Sequence, residues 1–316
     1  MLADRIGEPV RLVDVGARGG IDGRWAPFYP FLDVLGFEPD SAECERLTRA
    51  ASNLPYRSRF LPIALGDGEH EVMFNVCRWS VASSVYEPNA EVLEDFPAAA
   101  GLMDVAERRS LATVRLDNVC AREQFTPDCL KLDVEGAELA VLRGAEAILG
   151  GSLVLDVEAE FQELFRGQPL FADVDVYLRE RGWRLLGLRR ICWRRTAGLS
   201  RIGSGYGGQL VSADALYLND HALKRGLTIK QTLKLVLILS AYRQHDFTLA
   251  LLRRPPLSDL PAQERRALEA GLAPPPSWLH RLAGLALHGL DSQHRRRLAD
   301  ALQDGTAAIW QDAHHF

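Results

Sequence analysis

The sequence predicts an α/β fold, a mostly parallel sheet with helices on both faces. Three observations predict it. The short runs "VRLVDVG", "DVLGFEP", "CLKLDVE" and "SLVLDVE" are nearly continuous in apolar residues, as strands buried on both faces are. Segments of helical spacing separate them, which is the alternation of a parallel sheet. Each run closes on an acid, and such sheets bind ligands beyond the carboxyl ends of their strands.

The elements follow in order. Residues 10–16 and 33–39 form the first two strands. The segment "SAECERLTRAAS" (41–52) predicts a helix with Ser41 as its N-cap. "RFLPIAL" (59–65) and "EVMFNVC" (71–77) predict a strand each. Strands at 129–135 and 152–158 flank "GAELAVLRGAEAIL" (136–149), which predicts one continuous helix stopped by Gly150–Gly151. A helix over 173–183 ends at a glycine, and 183–193 pairs with 209–218 at the sheet edge. Residues 194–208, rich in glycine, predict a loop able to cover a site. After residue 220 the chain turns to Leu/Ala-rich helices broken by proline clusters. The expected division is therefore 1–220 and a helical C-terminal appendage, 221–316.

Charge supports that division. Residues 1–220 hold 24 Lys+Arg against 34 Asp+Glu, and residues 221–316 hold 13 against 8. The overall net charge of −5 argues against general nucleic-acid binding. No apolar stretch is long enough to span a membrane; "TLKLVLILSAY" (232–242) is short, carries Lys234 and predicts a buried helix. The N-terminus lacks a signal-peptide pattern, so a cytoplasmic protein is expected. Five widely spaced cysteines without a CxxC pair predict buried free thiols, with no disulfide framework or structural zinc. The Leu-rich terminal helices offer a surface for a homodimer.

"LVDVGARGG" (12–20) places a glycine turn after the first strand, where backbone and ligand touch. Dinucleotides and S-adenosylmethionine both fit such a turn. The dinucleotide fingerprint GxGxxG fails at Arg18 and at Ile21. Gly16 and Gly20, four apart, suit an amino-acid moiety. Glu38, 22 residues after Gly16 in "GFEP", is placed to accept hydrogen bonds from ribose hydroxyls.

The order and spacing of "VDVGARGG", "GFEPD", "LPIALGD", "ASSV" and "LKLDVEGAELAVLRGA" resemble the FkbM family of S-adenosylmethionine-dependent methyltransferases, over roughly residues 10–218. The resemblance implies a class I methyltransferase (Rossmann-like) fold, with a seven-stranded sheet whose last strand is antiparallel. It implies methylation of hydroxyl oxygens, on a sugar, glycan or other small-molecule natural product. It places Asp14, Gly16, Ala17 and Gly20 near the methionine part of the cofactor, with Arg18 able to pair with the carboxylate. Glu38 and Pro39 then lie at the nucleoside, and Ala64, Leu65 and Asp67 near adenine. Arg18 departs from the family, which more often has a small polar residue there.

Methyl transfer to a hydroxyl needs an in-line approach and removal of a proton. The only histidine of residues 1–220 is His70, in a predicted exposed turn, so the expected base is a carboxylate, a metal-bound alkoxide or a histidine of the C-terminal unit. Asp133 and Glu135 have the spacing of a strand end and are expected to point the same way, with Glu158 ending the neighbouring strand. Together they can share a proton or a divalent ion, the ion being the less favoured occupant; Glu135 can instead cap the following helix. Asp133 is also a candidate cofactor contact. Lys131 is the only lysine in the first 220 residues and suggests a compact ammonium that either neutralises these carboxylates or contacts the acceptor. Trp79, Ser83 and Ser84, with Tyr86, are candidates for the acceptor pocket. A dinucleotide oxidoreductase and a non-catalytic scaffold retaining the fold stand as the alternative readings.

Overall fold

The computed structural model describes residues 6–195 and 208–272. Among the described residues ten strands build two sheets. β1 (Val10–Val15), β2 (Leu32–Phe37), β3 (Arg57–Leu61), β7 (Cys129–Leu132), β8 (Val154–Glu160), β9 (Trp183–Trp193) and β10 (Gln209–Asn219) form the main sheet, in the order β3-β2-β1-β7-β8-β10-β9. Pairing is parallel from β3 through to β8, and β10 runs antiparallel to both of its neighbours. This seven-stranded order, with one reversed strand inserted near the edge, is the class I methyltransferase arrangement. β4 (Ala64–Gly66), β5 (Glu71–Cys77) and β6 (Val105–Arg115) form a small second sheet, ordered β4-β6-β5.

Side chains alternate across the main sheet, so one strand feeds two cores. Val13, Leu35, Leu130 and Leu155 pack against α2 (Leu116–Arg122), α3 (Glu138–Arg143), α4 (Glu146–Leu149) and α5 (Phe171–Glu180). Leu12, Val34, Cys129 and Val154 pack on the other face against Trp25 and α7 (Ile229–Ala241). The described chain also forms α1 (Ser41–Ala51), α6 (Asp220–Arg225), α8 (His245–Leu252) and α9 (Ala262–Leu272), with short helical turns at Ala90–Leu93 and Pro97–Ala100.

α7 is a consequence of its sequence. Thr228 and Gln231 form a reciprocal capping box at its start, the Gln231 amide donating to the Thr228 hydroxyl at 3.2 Å and the Thr228 amide donating to Gln231 Oε1 at 3.0 Å. Its aliphatic residues from Leu233 to Leu239 are buried, at about 1.5–3 kcal/mol for each large one. Lys234, buried as its helix is, donates to Asp128 at 2.9 Å and pairs with Glu8 at 3.1 Å. Among the described residues no helix is long and apolar enough to cross a membrane.

Several local expectations need correction. Residues 59–65 are two strands in two sheets, because Pro62 cannot continue the ladder. The 136–149 segment is two short helices, broken at Gly144–Ala145. There the backbone of Gly66 comes so near Gly144 that any Cβ would overlap its carbonyl. Asp40, not Ser41, caps α1, accepting from the amides of Ala42 and Glu43 at 3.0 and 3.2 Å. Strand β6 carried no recognised sequence signal. The predicted loop 194–208 falls largely outside the described residues, as do the helices expected beyond 272.

Candidate active site

The opening glycine turn meets another backbone. Gly16 has φ +81°, and a Cβ there would fall on the carbonyl oxygen of Asp133. A residue with a side chain would be both strained and obstructed, so glycine lets the ends of β1 and β7 touch. The amides of Gly16 and Ala17 both donate to the Phe37 carbonyl, at 3.0 and 2.9 Å, which ties the turn to β2. Gly19 and Gly20 also have positive φ, and the space where a Gly19 side chain would stand is open.

Asp14, Lys131 and Asp156 are register partners on three adjacent strands, so their side chains form one row across the sheet. Lys131 Nζ lies 3.6 Å from Asp14 and 3.0 Å from Asp133. Asp14 is fully buried, and its Oδ1 has no hydrogen-bond partner. Burial pushes its carboxyl up to about 6, even against the pull of Lys131.

Asp133, Glu135 and Glu158 converge, with one carboxylate oxygen from each within 4.8 Å of the others. The route differs from the expected strand alternation. β7 ends at Leu132, and Glu135 stands in a left-handed turn at φ +55°, followed by Gly136 at +99°. Glu135 does not cap α3; the carboxylate of Glu138 instead accepts from the Val134 amide at 2.7 Å. Burial acts to raise Asp133, but Lys131 and a hydrogen bond from Glu158 outweigh it and hold the group below its ordinary value. Burial and the neighbouring acids raise Glu135, Glu158 and Glu160 well above theirs, and push Glu138 up to about 7. One carboxylate is thus kept anionic among several that favour their protonated form.

Glu38 stands at the end of β2, 4% exposed, accepting from the Asp40 amide at 2.9 Å. Burial raises its pKa. Arg18 reaches across to it, donating to Glu38 at 3.4 Å, Asp40 at 3.1 Å and the Ser80 hydroxyl at 3.5 Å. The guanidinium therefore braces the β2 end against the turn that follows β5. Between them runs a narrow slot, with Arg18, Pro39 and Asp40 on one side and Phe74, Val76 and Leu111 on the other.

Other candidate residues separate from this centre. Leu65 packs into the core, and Asp67 is exposed beside His70, so neither lines the slot. Ala64 pairs with Thr113 in the small sheet. The Ser84 hydroxyl donates to the Glu135 carbonyl at 2.6 Å and accepts from the Tyr86 amide at 3.0 Å. Ser83 lines the slot and accepts from the Cys77 amide at 3.1 Å, while Trp79 is 48% exposed. Ser84 thus fixes the turn that carries Glu135. The sequence also offered Glu138 beside Asp133 and Glu135; it gave no place to Arg24, Glu160 or Tyr242. Glu160 continued the two-residue spacing already noticed; Arg24 and Tyr242 gave no signal, because their partners lie far away in the chain.

The family model described as Methyltransferase FkbM domain matches residues 14–185. The 2-O-methyltransferase NoeI of Sinorhizobium fredii is 27% identical over 185 residues, covering 54% of this chain and 71% of NoeI. Among solved structures, the magnesium protoporphyrin IX methyltransferase ChlM of Synechocystis PCC 6803, with bound SAM, aligns at 10% identity and a TM-score of 0.34, covering 69% of this chain and 74% of ChlM. A putative RNA methyltransferase, PH1948 of Pyrococcus horikoshii, aligns at 11% identity and a TM-score of 0.33, covering 69% and 78%. With over half of its length matched by that family model and its strands in the corresponding order, the chain belongs to the FkbM methyltransferases.

Proposed function

We propose that this methyltransferase moves the methyl group of S-adenosylmethionine to a hydroxyl oxygen of a small-molecule or glycan acceptor. The observation that carries the reading is the meeting of Asp133, Glu135 and Glu158 within 4.8 Å, next to a glycine turn and a buried acid on the two preceding strands. The 2-O-methyltransferase activity in the name of NoeI supports oxygen as the target.

The residues present fit the cofactor. Asp14 offers a buried oxygen without a donor, Gly19 leaves open space beside the backbone, and Glu38 presents a carboxylate at the end of β2. Asp14, Ala17 and Gly20 would hold its amino-acid part, Glu38 its ribose, and the slot beside Pro39 its base. When bound, the cofactor supplies an electrophilic methyl on a sulfonium. Asp133, kept anionic by Lys131, accepts the hydrogen bond of the acceptor hydroxyl and orients its oxygen. The proton released passes into the hydrogen-bonded Asp133–Glu158 pair, which already shares one. Lys131 also occupies one side of Asp133, which favours proton sharing over a divalent ion among these acids.

Calorimetric titration of the full-length protein with S-adenosylhomocysteine tests the reading. Micromolar binding is expected, and folded protein that binds nothing would overturn it. Methylated products, sought by mass spectrometry after incubation with labelled cofactor and a panel of methyl glycosides, test the oxygen acceptor.

A further inference from the structure

Asp156 sits next to Lys131 in the sheet, yet its oxygens are taken elsewhere. Arg24 Nη1 donates to Asp156 Oδ2 at 3.3 Å, and the Tyr242 hydroxyl acts on the same carboxylate, pulling it down against the rise that burial causes. The two holders brace each other. The Arg24 guanidinium lies over the Tyr242 ring, 4.7 Å from its centroid, and Trp25 meets that ring edge-on at 5.8 Å. Arg24 is fixed in turn by Asp22 at 3.0 Å and Asp214 at 3.7 Å. Tyr242 follows directly after α7, well beyond the segment that matches the family model.

We propose that Tyr242 is a positioning residue. With Arg24, it holds Asp156 so that the Lys131 ammonium stays on Asp14 and Asp133. The helical unit after residue 220 would thereby set the charge at the cofactor end of the site. Without the tyrosine hydroxyl, Asp156 is free to turn toward its register neighbour and draw Lys131 away from Asp133. Asp133 would then carry an uncompensated charge. This rests on the reading that S-adenosylmethionine binds at these strand ends.

The two cofactor forms make the test specific. S-adenosylmethionine carries a positive sulfonium where S-adenosylhomocysteine has a neutral thioether, and the two are otherwise alike apart from the methyl. The ratio of their dissociation constants therefore reports charge near the sulfur, and a general loss of structure cancels from it. Calorimetry on the full-length wild type, Tyr242→Phe, Asp156→Asn and the double variant gives that ratio. We expect the homocysteine-to-methionine ratio to rise about fivefold in Tyr242→Phe, the effect of moving one charge by a few ångströms at partial burial. It should stay near the wild-type value in Asp156→Asn and in the double variant, where no carboxylate remains to pull Lys131. An unchanged ratio in Tyr242→Phe, or the same rise in the double variant, would overturn the inference while leaving the cofactor reading intact. A wild type that binds neither form would overturn both. Should Tyr242→Phe fail to fold, Arg24→Gln removes the other holder, and the same rise is required of it.

Discussion

Gly16→Ala and Gly19→Ala separate two costs that glycines at strand ends usually combine. Both positions have positive φ, +81° and +84°, so both alanines incur the left-handed penalty of about 1 kcal/mol. Only at position 16 does the new Cβ meet backbone, the carbonyl of Asp133; at 19 nothing lies within 4 Å. The β7 end must then shift, and overpacking against rigid backbone adds about 1–3 kcal/mol. Gly16→Ala should therefore cost about 2–4 kcal/mol and Gly19→Ala about 1 kcal/mol. Urea unfolding followed by far-UV circular dichroism measures both. Because Asp133 moves, Gly16→Ala should also weaken S-adenosylhomocysteine binding. Equal destabilisation of the two variants would refute the argument that β1 and β7 are held together by a missing side chain.

Three further outcomes are expected. Glu38→Gln keeps an acceptor for the Asp40 amide but removes the charge, and should weaken S-adenosylhomocysteine about 10- to 100-fold by calorimetry; a change under about threefold would remove the ribose role. Ser84→Ala strands the Glu135 carbonyl and the Tyr86 amide in a fully buried position and should lower stability by about 1–3 kcal/mol in thermal unfolding, whereas a neutral result would mean that the turn is held elsewhere. Stability should fall as pH rises from about 4 to about 7. Asp14 and Asp156, raised by burial to about 6, and Glu138, raised to about 7, bind protons more tightly folded than unfolded. Asp14 alone accounts for about 2–3 kcal/mol, so Asp14→Asn should flatten the profile of unfolding free energy against pH, and an unaltered slope would contradict its burial as a charge.

The central strands of the main sheet were legible because burial on both faces leaves an unbroken apolar run, as in "RLVDVG" and "SLVLDVE". β6 was not, since residues 106–110 are exposed and read "AERRS", without either period. The gathering of Asp133 and Glu158 followed from strand ends alone. The place of Glu135 depends instead on a left-handed turn that Gly136 and the Ser84 hydroxyl permit, and no spacing rule announces such a turn. The break at Gly144 was equally hidden, for its cause is a backbone 78 residues earlier in the chain. Arg24 and Tyr242 belong to the same class of feature: their meaning is their shared partner, Asp156, which only the fold brings to them.

The helix at 229–241 packs on one side of the main sheet, and this bears on how the protein can be handled. A shortened version stopping after the last strand would leave Leu12, Val34, Leu216 and Leu218 facing water as a broad greasy plane. Such a fragment would clump or cling to other proteins even though every residue matched by the family model was intact, so any attempt to minimise this enzyme must keep the chain through at least Leu260.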